Sequence, residues 1–184
     1  MQSRWLWCDV FEVKCGEEVS VERRILVPQC DMATKTVSVV RDVSATPEQV
    51  WKLVTDLPRM GEWSPENRGG TWVKGARGAA LGAHFAGKNK NGKKSWNTKV
   101  VVNACDEPRK FSFALTVMGA NWCDWVFEIE PTASGSRVTH SWVDHRKTWQ
   151  DKLGKLVSGV SDRASHNKAN MEVTLEQLAQ ALNA

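Results

Sequence analysis

Tyrosine is absent from the sequence, and so are the spacings on which most chemical motifs depend. The five cysteines include no CxxC pair, and the four histidines do not stand at zinc-site distances from them. No GxSxG occurs that would place a nucleophilic serine, and no GxGxxG opens a helix after a strand. The sequence therefore predicts neither a metal site nor a cofactor site.

Long apolar runs are missing as well, which bears on location and partners. No stretch approaches the roughly 18 apolar residues that a membrane-spanning helix needs, so we expect no integral membrane association. Asp9 and Glu12 interrupt the first apolar run, so the N-terminus lacks the pattern of a secretory signal. We therefore expect reduced thiols and a cytoplasmic protein. The net charge of +4 is too weak to predict nucleic-acid binding without a motif.

Tryptophan, in contrast, is abundant: the chain has ten Trp and five Phe among 184 residues. Each Trp brings a large apolar area with a single N–H to satisfy, and such side chains are favoured where a surface meets a ligand. The hydrophobic fraction of 41% and the charged fraction of 25% are ordinary for one globular domain. The rings therefore fill a core or line a binding site.

The C-terminal segment, residues 161–183, has the period of one long amphipathic helix. Asn167 and Lys168 fall at the edges of its apolar stripe, so they reach water or face a space that is not a solid core. Because the preceding chain is rich in strand, we expect the stripe to pack on a sheet. The stripe consists of Ala164, Met171, Leu175, Leu178 and Leu182.

The segment just before this helix, residues 148–161, continues the apolar stripe backwards. Gly154 and Gly159 weaken it, because each glycine costs a helix about 1 kcal/mol. We therefore predict a broken or mobile segment that gates a space beneath it, with Asn167 and Met171 near the lining.

The chain from Thr36 onward predicts one strand, two short helices and then six strands. Thr46 and Gln49 have the spacing of a capping box at the start of the first helix. Asn91 and Gly92 form a strong hairpin signal between alternating strands. Consecutive strands with short turns make an antiparallel meander. We therefore predict an α+β fold in which a curved antiparallel sheet surrounds the long C-terminal helix.

Short motifs at or near the ends of these predicted strands and helices carry a family resemblance. In sequence they resemble the START-like superfamily, also called SRPBCC or the Bet v 1-like helix-grip fold. Within it they are most similar to the polyketide cyclase/dehydrase and lipid-transport group. The resemblance covers roughly residues 36–182. The motifs are ATPEQVW (45–51), DLP (56–58), EWSPE (62–66), GAHF (82–85), WVF (125–127) and GSRVT (135–139).

The resemblance implies a curved seven-stranded antiparallel sheet wrapped around a long C-terminal helix, with two short helices after the first strand. It also implies a deep apolar cavity between sheet and helix that holds lipids, polyketides or other hydrophobic small molecules. Many members bind or carry such ligands, and a minority are cyclases or aromatases. Residues 33–184 would form this START-like ligand-binding domain. Residues 1–32 fall outside it, and we expect a poorly defined extension that begins upstream of the true start or adds an edge strand.

Aromatic side chains stand at alternating positions of several predicted strands, so we expect them to share one interior, which the resemblance implies is a ligand cavity. The same rings could instead fill the space against the helix. His140 shares a face with Val138 and Trp142 and therefore points inward, as an acid or base or as a satisfied structural residue. The predicted cavity residues are Trp63, Phe85, Trp96, Thr98, Phe113, Trp125, Phe127, His140, Trp142, Asn167 and Met171.

These features lead us to expect a carrier or binding protein for a hydrophobic small molecule, lipid or polyketide-like. The alternative is a cyclase/dehydrase-type enzyme that uses the same cavity, with His140 as a weak catalytic candidate. A protein–protein interaction module is a third reading. The sequence leaves the oligomeric state open between monomer and homodimer. Lysines at one hairpin tip form a solvated loop or contact phosphate. They are Lys88, Lys90, Lys93 and Lys94.

Overall fold

The computed structural model describes residues 35–183, so the predicted extension at residues 1–32 lies outside the described residues. Within that range the backbone forms seven strands, three α-helices and one 3₁₀ helix. The strands are β1 Lys35–Val43, β2 Asn67–Val73, β3 His84–Asn91, β4 Lys94–Asp106, β5 Lys110–Val117, β6 Ala120–Thr132 and β7 Gly135–Asp144. The helices are α1 Pro47–Val54, the 3₁₀ helix Leu57–Glu62, α2 Thr148–Ser158 and α3 Arg163–Leu182.

All seven strands join one antiparallel sheet in the order β1-β7-β6-β5-β4-β3-β2. Strands β2 to β7 follow one another as a meander, and β1 pairs with β7 at the far edge. Register shifts in the β2–β3, β4–β5 and β5–β6 pairs mark bulges, which bend a sheet. The predicted α+β architecture is confirmed: a curved seven-stranded sheet, a long C-terminal helix and two short helices after the first strand.

Helix α3 lies against the concave face of the sheet, as its period predicts. Met171, Leu175 and Leu178 are buried in the hydrophobic core. Ala164 and Leu182, at the two ends of the stripe, are partly buried and pack against the same core. The stripe is thus the helical side of the core, and the inward side chains of the strands are the other side.

Helix α1 begins with the predicted capping box. Gln49 N donates to Thr46 Oγ1 at 3.4 Å, and Thr46 N donates to Gln49 Oε1 at 2.9 Å, so two helix-end donors are satisfied. Trp51 on the buried side meets the Phe111 ring edge-on, with the centroids 6.0 Å apart. Helix α1 therefore closes one end of the space between the sheet and α3.

The β3–β4 hairpin forms where it was predicted, but its turn is displaced by one residue. Asn91 still pairs with Lys94, so the two turn residues are Gly92 and Lys93. Gly92 has a positive φ of 55°, a conformation that glycine adopts without a steric penalty.

Helix α2 differs from the broken segment that we predicted. Its eleven residues form a continuous helix that includes Gly154. The helix ends at Gly159, which takes the left-handed conformation with φ of 72°. The predicted break is therefore absent at Gly154 and present at Gly159, between α2 and α3.

Truncating Leu178 tests whether α3 carries the core. The Leu178→Ala chain should lose about 2–5 kcal/mol of unfolding free energy, because the packed sheet cannot fill the cavity that the side chain leaves. Gln177→Ala, on the exposed side, should change the unfolding free energy by less than about 0.5 kcal/mol. Urea unfolding followed by Trp fluorescence gives both values. Equal losses in the two variants would contradict this assignment of the core.

Candidate functional site

A cleft of about 450 Å³ opens between the sheet and the helices α2 and α3. Strands β4, β5, β6 and β7 supply one wall, and α2 supplies the opposite lip. The volume falls within the range of roughly 300–1,000 Å³ that ligand pockets occupy. The aromatic side chains on the cleft are Trp96, Trp122, Trp125 and Trp142.

A smaller space of about 90 Å³, which we call the inner pocket, lies between the sheet and the 3₁₀ helix. Leu57 and Met60 line it from the 3₁₀ helix, and His140 lines it from β7. Its aromatic lining consists of Phe85, Phe113, Trp125 and Phe127. The cleft and the inner pocket adjoin, because they share the lining residues Asn89, Thr98, Leu115 and Trp125.

Arg146, just after β7, lines one end of the cleft. Its guanidinium donates to the two carboxylate oxygens of Asp144 at 2.8 and 2.9 Å and lies 3.4 Å from Asp151. It also lies 5.4 Å from the ring centroid of Trp142. Burial lowers the pKa of Arg146, but the hydrogen bonds to Asp144 and the charges of both carboxylates outweigh burial and raise it. The buried guanidinium therefore stays charged.

Gly154 permits the close approach of α2 to Arg146. A Cβ at this position would lie 2.9 Å from Arg146 Nη1, closer than real Cβ atoms come. At the C-terminal end of α2, Asn91 Nδ2 donates to the Ser158 carbonyl at 3.2 Å, and Lys94 Nζ donates to the Leu156 carbonyl at 3.3 Å. Helix α2 is thus attached beside the cleft by its C-terminal carbonyl groups and by the contact between Arg146 and Asp151.

A second arginine lies in the cleft at the start of α3. Arg163 Nη1 donates to both carboxylate oxygens of Glu66 at 2.9 and 3.0 Å, and it lies 3.5 Å from Asn167 Oδ1. Its guanidinium lies 6.0 Å from the ring centroid of Trp96. Asn167 is only 1% exposed, and its Nδ2 has no hydrogen-bond partner among residues 35–183. The Asn167 amide therefore offers an unpaired donor on a residue that lines the cleft.

His140 lies between two aromatic rings on the concave face. Its ring centroid is 3.9 Å from that of Phe127 and 5.6 Å from that of Trp125. Neither ring nitrogen has a hydrogen-bond partner within the described part of the chain. Burial lowers the pKa of His140 from 6.5 to about 3, so the imidazole is neutral near pH 7. A neutral imidazole presents one N–H donor and one acceptor nitrogen.

Other chemistry has little support in the described residues. Cys123 lines the cleft, but burial raises the pKa of its thiol to about 12, so it is not a thiolate nucleophile near neutral pH. Residues 35–183 contain no group of three or more His, Cys, Asp or Glu side chains placed to hold a metal ion. Within the same range, no helix is long and apolar enough to cross a membrane.

The structure brings the predicted cavity residues to the cleft and the inner pocket, with two exceptions. Trp63 and Met171 line neither space; each is 1% exposed and lies in the hydrophobic core. Met171 follows Asn167 by one helical turn, where α3 has already closed on the sheet. Contact with a ligand stays a prediction for the others. They are Phe85, Trp96, Thr98, Phe113, Trp125, Phe127, His140, Trp142 and Asn167.

Sequence reasoning missed Trp122 and Arg146. Leu115 pairs with Cys123, but the next residue, Thr116, pairs with Asn121, so Trp122 is the extra residue of a bulge. A bulge breaks the alternation on which the prediction of inward side chains relied. The signal in the sequence is the adjacent apolar pair Trp122 and Cys123, which departs from strict alternation. Arg146 lies between a strand and a helix, where no period applies.

Solved structures share this fold. Protein NE0264 from Nitrosomonas europaea matches with a TM-score of 0.59 at 15% identity, over 80% of this chain and 94% of its own. Protein CV1439 from Chromobacterium violaceum matches with a TM-score of 0.61 at 12% identity, over 81% and 98%. Ara h 8.0201 matches with a TM-score of 0.60 at 13% identity, over 82% and 98%. At these identities the matches show the fold alone. No curated protein matches the chain.

A family model identifies the protein family, which structural matches at such low sequence identity do not. The model described as polyketide cyclase / dehydrase and lipid transport matches residues 34–183, which include every strand and helix described above. The predicted START-like resemblance, with its helix-grip fold, is confirmed. The chain therefore belongs to the polyketide cyclase/dehydrase and lipid transport family.

Proposed function

We propose that the chain is a carrier or binding protein that holds a hydrophobic small molecule, lipid or polyketide-like, in the cleft and inner pocket. The observation that carries this proposal is the pair of incompletely buried rings, Trp96 and Trp125, on the wall of a 450 Å³ cleft. Apolar surface that faces water costs free energy, and a bound apolar ligand would recover it. The family supports the proposal, because its description includes lipid transport and polyketide chemistry.

Entry would pass between α2 and the tip of the β5–β6 hairpin. Leu153 and Val157 on α2 are 41% and 43% exposed, and Met118 at the hairpin tip is 97% exposed. All three side chains line the cleft. An exposed apolar group at the mouth of a cleft suits the passage of an apolar ligand. Gly159 joins α2 to α3, so we keep the hypothesis that α2 gates the cleft.

An enzyme of the cyclase/dehydrase type is the second candidate, and inward-facing His140 is the observation that favours it. A general acid or base works best when its pKa is near the working pH. Burial holds the pKa of His140 at about 3 instead. Its ring nitrogens also lack an orienting partner among residues 35–183. These properties favour binding over catalysis.

Binding can be measured with 1-anilinonaphthalene-8-sulfonate and with oleic acid as its competitor. Trp96→Ala should weaken the affinity for the dye by roughly tenfold, because it removes a large ring from the cleft wall. Leu81→Ala is the control, since Leu81 is a large apolar side chain that is 73% exposed and does not line the cleft. Fluorescence titration gives both dissociation constants.

Native mass spectrometry of the purified protein complements this titration. A retained small molecule that organic extraction releases would support the proposal. If neither probe binds and no molecule is retained, the proposed function is wrong. If Trp96→Ala and Leu81→Ala have the same effect on binding, the dye binds somewhere other than the cleft.

The low pKa of His140 predicts a loss of stability in mild acid. The unfolded chain binds a proton on this residue near pH 6.5, whereas the folded chain does so only near pH 3. The unfolded state therefore holds more protons in that window, and stability falls as the pH falls through it. His140→Phe should reduce the loss between pH 7 and pH 5 by about 2 kcal/mol. Urea unfolding at both pH values measures it, and an unchanged loss would contradict the buried, neutral imidazole.

The gating hypothesis predicts that the backbone amides of α2 are less protected from hydrogen exchange than those of α3. Backbone amides of α2 should exchange with deuterium at least about tenfold faster than those around Leu175 and Leu178, because α2 buries little apolar surface. Hydrogen exchange read by mass spectrometry resolves the two segments. Equal protection would show that α2 does not open independently.

A further inference from the structure

We propose that the ligand carries oxygen atoms at two separate positions, one paired with Asn167 in the cleft and one paired with His140 in the inner pocket. The inference rests on the proposed function, because it specifies the chemistry of that ligand. The class is a flat ring compound with separated hydroxyl or carbonyl groups. A hydrocarbon chain with a single polar end does not fit it.

The orientation of the Asn167 amide follows from its neighbour Arg163. A guanidinium has only donors, so the amide oxygen is the atom that faces it, and the Nδ2 group is left over. Glu66 fixes Arg163 through contacts at 2.9 and 3.0 Å, so the amide cannot turn without losing its partner. A buried donor on the cleft lining needs an acceptor, and a hydroxyl or carbonyl oxygen of a ligand supplies one.

His140 sets the second position in the inner pocket. Its ring packs on Phe127 and against Trp125, both on the neighbouring strand β6, and both nitrogens are unpaired among the described residues. A ligand hydroxyl can donate to one nitrogen or accept from the other, whichever tautomer is present. The inner pocket, at about 90 Å³, is small, so it admits the end of a ligand and not its body.

The junction between the two spaces separates these positions. Asn89 Nδ2 donates to Thr98 Oγ1 at 3.1 Å, so these two polar side chains are paired with each other. Trp125 lines both spaces and Trp96 lines the cleft, so the middle of the ligand meets aromatic surface. A polar–apolar–polar sequence of contacts therefore runs from Asn167 to His140. A ligand without oxygen at either end would leave a buried polar group unpaired, which lowers affinity.

Matched ring compounds test this inference by isothermal titration calorimetry. The probes are naphthalene with 2,6-dihydroxynaphthalene, and anthracene with 2,6-dihydroxyanthracene as the longer pair. In at least one of the two pairs, the oxygenated probe should bind roughly 100-fold more tightly than its hydrocarbon, because each of its two end oxygens contributes about tenfold. Asn167→Leu and His140→Phe should each remove about tenfold of the gain, and the double variant should remove all of it.

Gln177→Leu is the matched control, since Gln177 lies on the exposed side of α3 and lines neither the cleft nor the inner pocket. It should keep the whole gain. If Asn167→Leu fails to fold, Asn167→Ala removes the donor without adding bulk and should lose the same tenfold.

The outcomes separate the inference from the proposed function. If hydrocarbon and oxygenated probes bind equally in both lengths, the ligand chemistry inferred here is overturned while binding in the cleft stands. If the gain survives the double variant, the oxygen atoms bind elsewhere and the inference is also overturned. If no ring compound binds while 1-anilinonaphthalene-8-sulfonate or oleic acid does, the inference is overturned and the proposed function stands; if none of these compounds binds, the proposed function itself fails.

Discussion

The packing of α3 against the concave face of the sheet is the contact on which the rest of the structure depends. The C-terminal half of α3 is apolar on that face, and Leu175 and Leu178 are buried there. The N-terminal half carries Arg163 and Asn167, which cannot be packed among apolar side chains without a cost in free energy. The helix therefore closes the core at one end and leaves the cleft at the other. The cleft therefore lies where the sheet-facing side of α3 changes from apolar to polar side chains.

Two arginine–carboxylate pairs frame the cleft, and the fold gains little from them. The side chains of Arg146 and Arg163 are only 7% and 14% exposed, and their partners are Asp144 and Glu66. Removing two charges from water costs several kcal/mol each, which their attraction roughly offsets at best. Apolar residues could serve the core equally well. The pairs matter because they hold polar groups in fixed orientations at the ends of an aromatic cleft, as a site that orients a ligand requires.

The inward faces of the strands could be predicted from the sequence, whereas the assembled site could not. A period of two assigns each side chain to one face, so the rings of Phe113 and Phe127 were placed correctly. That rule fails at the β5–β6 bulge, where Trp122 is the extra residue. It also says nothing about the contact between Glu66 and Arg163, which are 97 positions apart. The helical period did reveal that Asn167 does not fit a solid core, because it is a polar residue at the edge of an otherwise apolar stripe.

Membership in the family fixes the fold and leaves the ligand open, because one fold hosts many functions. The aromatic walls of the cleft would bind any flat apolar body, and a single methylene changes such binding by only about 1–3 kcal/mol. A buried donor or acceptor discriminates more strongly, since a ligand without the matching atom leaves it unpaired. Among the described residues that line the two spaces, the side chains with unpaired buried atoms are Asn167 and His140. Affinity would therefore come from the rings, and the choice among ligands would come from these two residues.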